Sequence, residues 1–362
     1  MKLFRNVSRI PVKGKLAEQL IETTVDSELA KYYLEHYLQD CRCNPDLDDI
    51  IDQAHADNSD PIPNYEYLKY LTQRFSPDFA TIYLATKLLE DKASMALYGM
   101  FNRELSNARA GIKSGEYRLH PNSRAYCFLV VPGWVYKSKP ESGADLARPR
   151  GIITQHGLEN HLIQIEETGT IEENAVYIAE EIVRFSKVNK KIILVSASTG
   201  GPSAHLALGK LLEHSHLSKV KSWINIGGLL RGSFHADAST RWPKRWFAKT
   251  VLSLHGWNYD SVVSMTTEKS RERFRQINMP SEIFCVNYVG VPLSGNITER
   301  GRDGYFNSRA EGPNDGMTLI ADALMPKSVT IPMLGVDHYF DEEMDLKTIA
   351  LTQTIVNYLE SN

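Results

Sequence analysis

Residues 191–205 read KIILVSASTGGPSAH, an apolar, β-branched run that stops at a cluster of small residues and passes straight into a helical pattern. The central group, Ser196-Ala197-Ser198-Thr199-Gly200-Gly201, has the small-x-Ser-x-Gly form of a nucleophile elbow. A turn that tight tolerates only small side chains two residues before and after the serine, and it pushes the Ser198 hydroxyl into the open. The helix that follows aims its N-terminal amides at any negative charge that develops nearby. Such an arrangement suits acyl chemistry, with Ser198 as nucleophile. The plainer reading is a Gly-rich turn between strand and helix, which parallel-sheet proteins use for many purposes.

A serine hydroxyl needs a base within hydrogen-bond reach, usually a histidine held in one tautomer by a carboxylate. Of the eleven histidines, His338 follows the last expected strand, in Leu334-Gly335-Val336-Asp337-His338. Parallel strands share a carboxyl edge, so that loop belongs to the same edge as the turn at Ser198. His205 falls within the helix after the turn, pointing away, while His235 and His255 are secondary candidates in a long connection. For the acid, Asp315 sits in the rigid turn Gly312-Pro313-Asn314-Asp315-Gly316, between the last two expected strands. Asn-Asp-Gly is also ordinary turn chemistry. Asp237 is the rival carboxylate, and Asp337 adjoins His338, where consecutive side chains in an extended loop diverge.

Two backbone N–H groups must face the developing oxyanion. One is expected from Thr199. The other is expected from the loop Val131-Pro132-Gly133-Trp134, with Trp134 as donor and Gly133 as the alternative one residue earlier.

These residues need a scaffold. From about residue 120 the chain alternates between strand and helix, with candidate strands at 126–131, 161–166, 191–196, 222–227, 282–289 and 329–334. Most are continuous apolar runs, as expected for strands buried on both faces of a parallel sheet. Thr170-Ile171-Glu172-Glu173 is a capping box that opens a helix through Phe185. Residues 1–118 read as a helical N-terminal region. Within it Asp26 and Ser27, Asn64, and Ser76 with Pro77 mark helix starts. Residues 119–362 form the α/β domain, a mostly parallel doubly wound sheet. Connections in such domains usually run about 2–6 residues, so the insertions at 229–280 and 290–314 stand out. The first mixes Phe234, Trp242, Trp246, Phe247 and Trp257 with Arg241, Lys244, Arg245 and Lys249. It reads either as a cap enclosing an apolar substrate, with Phe234, Trp242 and Trp246 as substrate-binding candidates, or as a small helical subdomain without substrate contact.

Composition narrows the function classes. A chain of 362 residues with 42% hydrophobic and 23% charged content is globular, and a net charge of −3 leaves no nucleic-acid footprint. No apolar run approaches the ~18 residues of a membrane span. The basic N-terminus lacks the apolar core of a secretory signal. Cys127 and Cys285 fall in expected buried strands, and Cys41 and Cys43 are too close for ordinary zinc geometry. These features predict a reducing, cytoplasmic setting with no disulfide, metal or cofactor.

Taken together, the motifs resemble the α/β-hydrolase superfamily, and within it bacterial lipase- and esterase-like serine hydrolases. Besides the turn at Ser198, the segment Asn225-Ile226-Gly227-Gly228-Leu229-Leu230-Arg231-Gly232-Ser233 resembles the Gly-rich stretch after the next strand in such lipases. Asn314-Asp315-Gly316 and Gly335-Val336-Asp337-His338 resemble their acid and base loops. The resemblance spans residues 120–360 and departs at Ser196, where glycine is usual. It implies the α/β-hydrolase fold, the chain order Ser, Asp, His, and hydrolysis of a small carboxylic ester through an acyl-enzyme, and the tryptophans of residues 229–280 suggest that the substrate carries an apolar moiety. The same machinery serves an acyltransferase, thioesterase or amidase. A phosphate- or nucleotide-binding α/β protein is the alternative from another class, but neither G-x-G-x-x-G nor G-x-x-x-x-G-K-[ST] is present.

Overall fold

The computed structural model describes residues 9–58, 60–114, 118–188 and 190–361. The basic tract at residues 1–8 lies outside them. Eight strands occur among the described residues: β1 (Ile10–Leu16), β2 (Gln19–Val25), β3 (Tyr126–Val131), β4 (Glu159–Leu162), β5 (Lys191–Ala197), β6 (Val220–Ile226), β7 (Phe284–Val291) and β8 (Val329–Leu334). Six form one sheet in the order β4-β3-β5-β6-β7-β8, and the pairings from β4 through β7 are all parallel. The chain divides into two compact units.

One unit draws on Met1–Met95, Val289–Asp322 and Pro332–Asp341. It opens on an antiparallel hairpin of β1 and β2, where the sequence reads as helical. An alternation is present along β1, where Val12, Gly14 and Leu16 are buried and Pro11, Lys13 and Lys15 exposed, and Ile21 and Val25 are buried on β2. The turn signal is absent. Ala17 and Glu18 both adopt positive φ, 44° and 68°, in a two-residue connection that normally selects Gly or Asn. The helix starts follow the capping residues. Ser27, Asn64 and Ser76 each accept a backbone N–H at the head of the helices Glu28–Glu35, Tyr65–Arg74 and Pro77–Glu90. Asp78, fully buried, accepts hydrogen bonds from the Asp26 amide and from the Ser294 amide and hydroxyl, tying the hairpin's exit to the loop after β7.

The other unit comprises Ala96–Tyr288, Ala323–Ile331 and Glu342–Asn362, and it holds most of the sheet. All six residues of β3 are buried, and β5 is buried from Ile192 onward, which explains their unbroken apolar sequences. Ile171, Ala175, Ile178, Ile182 and Phe185 line the buried face of the helix Ile171–Ser186, and its capping box at Thr170 and Glu173 is formed. That face packs into a core with Leu129, Ile192, Leu194 and Trp223. Residues 229–280 fold as four helices, Phe234–Thr240, Lys244–Leu254, Tyr259–Ser264 and Thr267–Arg275, around Ala236, Leu252 and Val262. β4 starts two residues earlier than expected. No helix among the described residues is long and apolar enough to cross a membrane.

Trp223, fully buried on β6, donates its indole N–H to the Ser196 hydroxyl on β5 at 2.8 Å. Trp223→Ala removes the largest side chain of this core and orphans that hydroxyl, so it should cost about 3–5 kcal/mol. A lower urea midpoint at an unchanged slope would register the loss.

Candidate active site

β5 ends at Ala197, and the helix Gly200–Leu206 begins three residues later. The reversal is made at Ser198, which adopts φ +49°, a left-handed conformation that costs a non-glycine residue about 1–3 kcal/mol. Ser198 N–H donates to Ile226 O at 3.0 Å, and its carbonyl accepts from Gly201 and Leu229, so the strain is held by main-chain bonds on both sides. Small residues are obligatory here. A Cβ on Gly200 would lie 2.7 Å from Pro132 O and 2.9 Å from Val131 O, at the end of β3. The neighbouring serines are enclosed, Ser196 buried on β5 accepting from Trp223 and Ser203 buried in the helix.

The loop after β3 lies directly beside the turn, for a Cβ on Gly133 would meet Ser198 Cβ at 3.3 Å. Its two expected donors differ. Gly133 N–H is already spent on Ala144 O at 2.8 Å, and Val135 N–H on Glu167 O at 3.0 Å. The intervening Trp134 N–H, like that of Thr199, has no acceptor among the described residues. Neither amide is therefore spent on a main-chain acceptor. The Trp134 ring is set by an indole N–H to Ser261 Oγ at 3.3 Å and an edge contact with Trp257.

In the other unit, the loops after β7 and β8 bring Asp315 and His338 together. His338 Nδ1 lies 2.8 Å from Asp315 Oδ2, and the His338 amide donates to Asp315 O at 2.9 Å. Asp315 Oδ1 accepts from the amides of Met317 and Thr318, each at 2.9 Å, so the carboxylate is fixed at both oxygens. With Nδ1–H donating to Asp315, the Nε2 lone pair becomes the basic site of the ring. Burial works against a charged imidazole here. The charge and hydrogen bond of Asp315, with Asp337 behind, outweigh it and Arg300, and hold the His338 pKa above its ordinary value.

Several solved structures share this architecture. A metagenomic carboxyl esterase, MGS0156, superposes with a TM-score of 0.53 at 15% identity, over 67% of this chain and 77% of its own. The mature lipase BlEst2 of Bacillus licheniformis superposes at 0.52 with 20% identity, over 67% of this chain and 94% of its own. The chain has an α/β-hydrolase fold. No protein-family model matches it, and neither does any curated protein sequence.

Within the hydrolase fold the other sequence candidates are engaged elsewhere. Asp237 gives both oxygens to Thr267, accepting from its amide at 2.9 Å and its hydroxyl at 2.7 Å. Asp337 likewise caps the helix Glu299–Ser308, accepting from the Thr298 amide and hydroxyl. His205 packs between Trp223 and Phe274, and burial beside Arg231 and Arg273 brings its pKa down to about 3. The His255 ring stacks on Trp257. Phe234 is half-buried, whereas Trp242 and Trp246 stand 81% and 72% exposed.

The residue with no sequence signal is Glu167. Its carboxylate accepts from the amides of Lys137 and Ser138 and from the Ser138 hydroxyl, and its carbonyl takes the Val135 amide. It thereby holds the loop that presents Trp134, from 30 residues away in sequence. One cluster of metal-ligand type occurs among the described residues, with ligand atoms of Cys127, Glu159 and His161 within 4.8 Å of one another. Glu159 is already bonded to Lys190 and His161, and burial, then Glu159, pushes the Cys127 thiol up to about 12. The cluster sits at the start of β3 and β4, at the opposite end of the strands from Ser198.

Asp315→Asn should return the His338 pKa toward or below the ordinary value, as followed by NMR titration of the imidazole. Asp237→Ala should leave that titration unmoved while costing about 1–2 kcal/mol for the lost cap at Thr267. An imidazole indifferent to Asp315 would contradict the electrostatic assignment.

Proposed function

We propose that the protein hydrolyses carboxylic esters through an acyl-enzyme on Ser198, with His338 as general base and acid and Asp315 as its orienting carboxylate. The observation that carries this reading is the left-handed Ser198 at the strand-to-helix turn, flanked by the open amides of Thr199 and Trp134. At a strand-to-helix turn of this kind that conformation projects the serine hydroxyl away from the sheet, as a nucleophile requires. The names borne by the structural neighbours, carboxyl esterase and lipase, point the same way.

In this mechanism Ser198 Oγ attacks the ester carbonyl carbon as its proton passes to His338 Nε2. The carbonyl oxygen becomes an oxyanion held by the N–H groups of Thr199 and Trp134. Collapse breaks the bond to the alcohol, which departs with the proton from His338. Water, deprotonated by the same imidazole, attacks the acyl carbon and releases the acid, and the proton returns to Ser198. Asp315 stays ionised and holds the ring in the tautomer with its lone pair on Nε2.

Aryl esters of graded acyl length, with a fluorophosphonate as covalent probe, test the assignment. Ser198→Ala should abolish both hydrolysis and labelling, and labelling that survives in this variant would overturn it. His338→Gln should leave Ser198 unlabelled on the same timescale, and Asp315→Asn should lower kcat by roughly 10⁴-fold, the scale seen when a triad acid loses its charge.

The base acts only when neutral. Because the His338 pKa is raised, the imidazolium persists to higher pH, and the acid limb of kcat/KM should be centred above ~6.5, the free histidine value. In Asp315→Asn the limb should move to lower pH as the remaining rate falls. A limb centred below the free value in the unaltered protein would exclude His338 as the base.

A further inference from the structure

The helix Lys244–Leu254 presents an unusual surface. Leu252 turns inward against Ala236 and Val262. At about 100° per residue, Trp246, Phe247 and Leu254 then fall on the far side, with only the small polar Thr250 between them. Trp246, Phe247 and Leu254 are 72%, 74% and 81% exposed, and Trp242 just before the helix is 81% exposed. Scattered exposed leucines are ordinary, but four large apolar side chains projecting together mark an interaction surface.

The charge around them has one sign. Residues 238–259 contain Arg241, Lys244, Arg245 and Lys249 and not one aspartate or glutamate, in a chain whose net charge is −3. Among the described residues no carboxylate pairs with Arg241, Lys244 or Arg245, and Lys249 lies over the Tyr259 ring at 4.8 Å. By the same spacing Lys249 lies about 60° from Trp246 and Lys244 about 60° from Phe247, one on each side of the apolar face, while exposed Arg245 lies nearer the Leu252 side.

We propose that this helix, with Trp242, docks the protein on an anionic phospholipid surface. The projecting rings and Leu254 would enter the boundary between headgroups and acyl chains, while the four cations would lie among the phosphates. Tryptophan suits that boundary because its ring is apolar and its N–H remains hydrated. A fluid anionic surface satisfies both features without a shape-matched partner. A folded protein would have to supply pockets for side chains that stand out this far. The inference does not depend on the ester-hydrolase reading.

Flotation of the full chain with phosphatidylcholine vesicles, with and without phosphatidylglycerol, tests it. Binding should require phosphatidylglycerol and weaken as salt is raised. Neutralising Lys244, Arg245 and Lys249 to glutamine should weaken it by about fivefold per charge. Trp246→Ser with Phe247→Ser should abolish binding with circular dichroism unchanged, since both side chains are outside the core. Equal binding to both vesicle types, or binding untouched by these substitutions, overturns the proposal. So does a concentration-dependent dimer dissolved by the Trp246/Phe247 pair with no vesicle binding, which assigns the face to a second copy of the chain. Binding to soluble polyglutamate without binding to vesicles overturns it in favour of an acidic polypeptide.

Discussion

At the end of β5 the chain has two residues, Ser198 and Thr199, in which to leave a buried parallel strand and enter a helix. That constraint organises much of the surrounding structure. It forces Ser198 to φ +49°, and it brings Gly200 so close to the end of β3 that no side chain fits there. The bond from the Ser198 amide to Ile226 O, with those that its carbonyl accepts from Gly201 and Leu229, keeps the strained residue in place. Neighbouring elements supply the support, since β6 provides Ile226 and the Trp223 indole that occupies the Ser196 hydroxyl. A conformation that costs energy locally is retained because a packed sheet over-determines it.

The loop after β3 is organised around the same point. Gly133 can pass within van der Waals contact of Ser198 because it has no side chain. The flanking amides of Gly133 and Val135 are consumed by Ala144 and Glu167, so the loop is rigid on both sides of Trp134. A comparable economy governs Asp315. One oxygen is pinned by two amides and the other is directed at His338, so the carboxylate cannot rotate away from the imidazole.

Much of this was legible in residue order. β3 and β8 have the bounds that their apolar runs suggest, and the capping residues Ser27, Asn64, Ser76 and Thr170 mark the helix starts. The hairpin of β1 and β2 was not legible, because Ala17 and Glu18 carry the left-handed turn without the glycine or asparagine that would announce it. The engagement of Asp237 with Thr267 also lay beyond sequence, since a carboxylate near a strand end reads alike whether it orients a base or caps a helix. Trp242 and Trp246 read as apolar residues that could enclose a substrate, but composition carries no direction, and in the fold they face solvent.

The sequence by itself determined what depends on neighbours along the chain. The small residues around Ser198, the periodicity of the strands and the caps of the helices are local, and their physics acts within a few residues. Only the tertiary structure decided which partner each polar group takes. Asp315 and His338 are 23 residues apart in sequence, and Glu167 meets the loop it holds across a separation of 30. Contacts at such distances are selected by how strands and loops pack, because hydrogen bonds and charges act in space without regard to the chain that connects them.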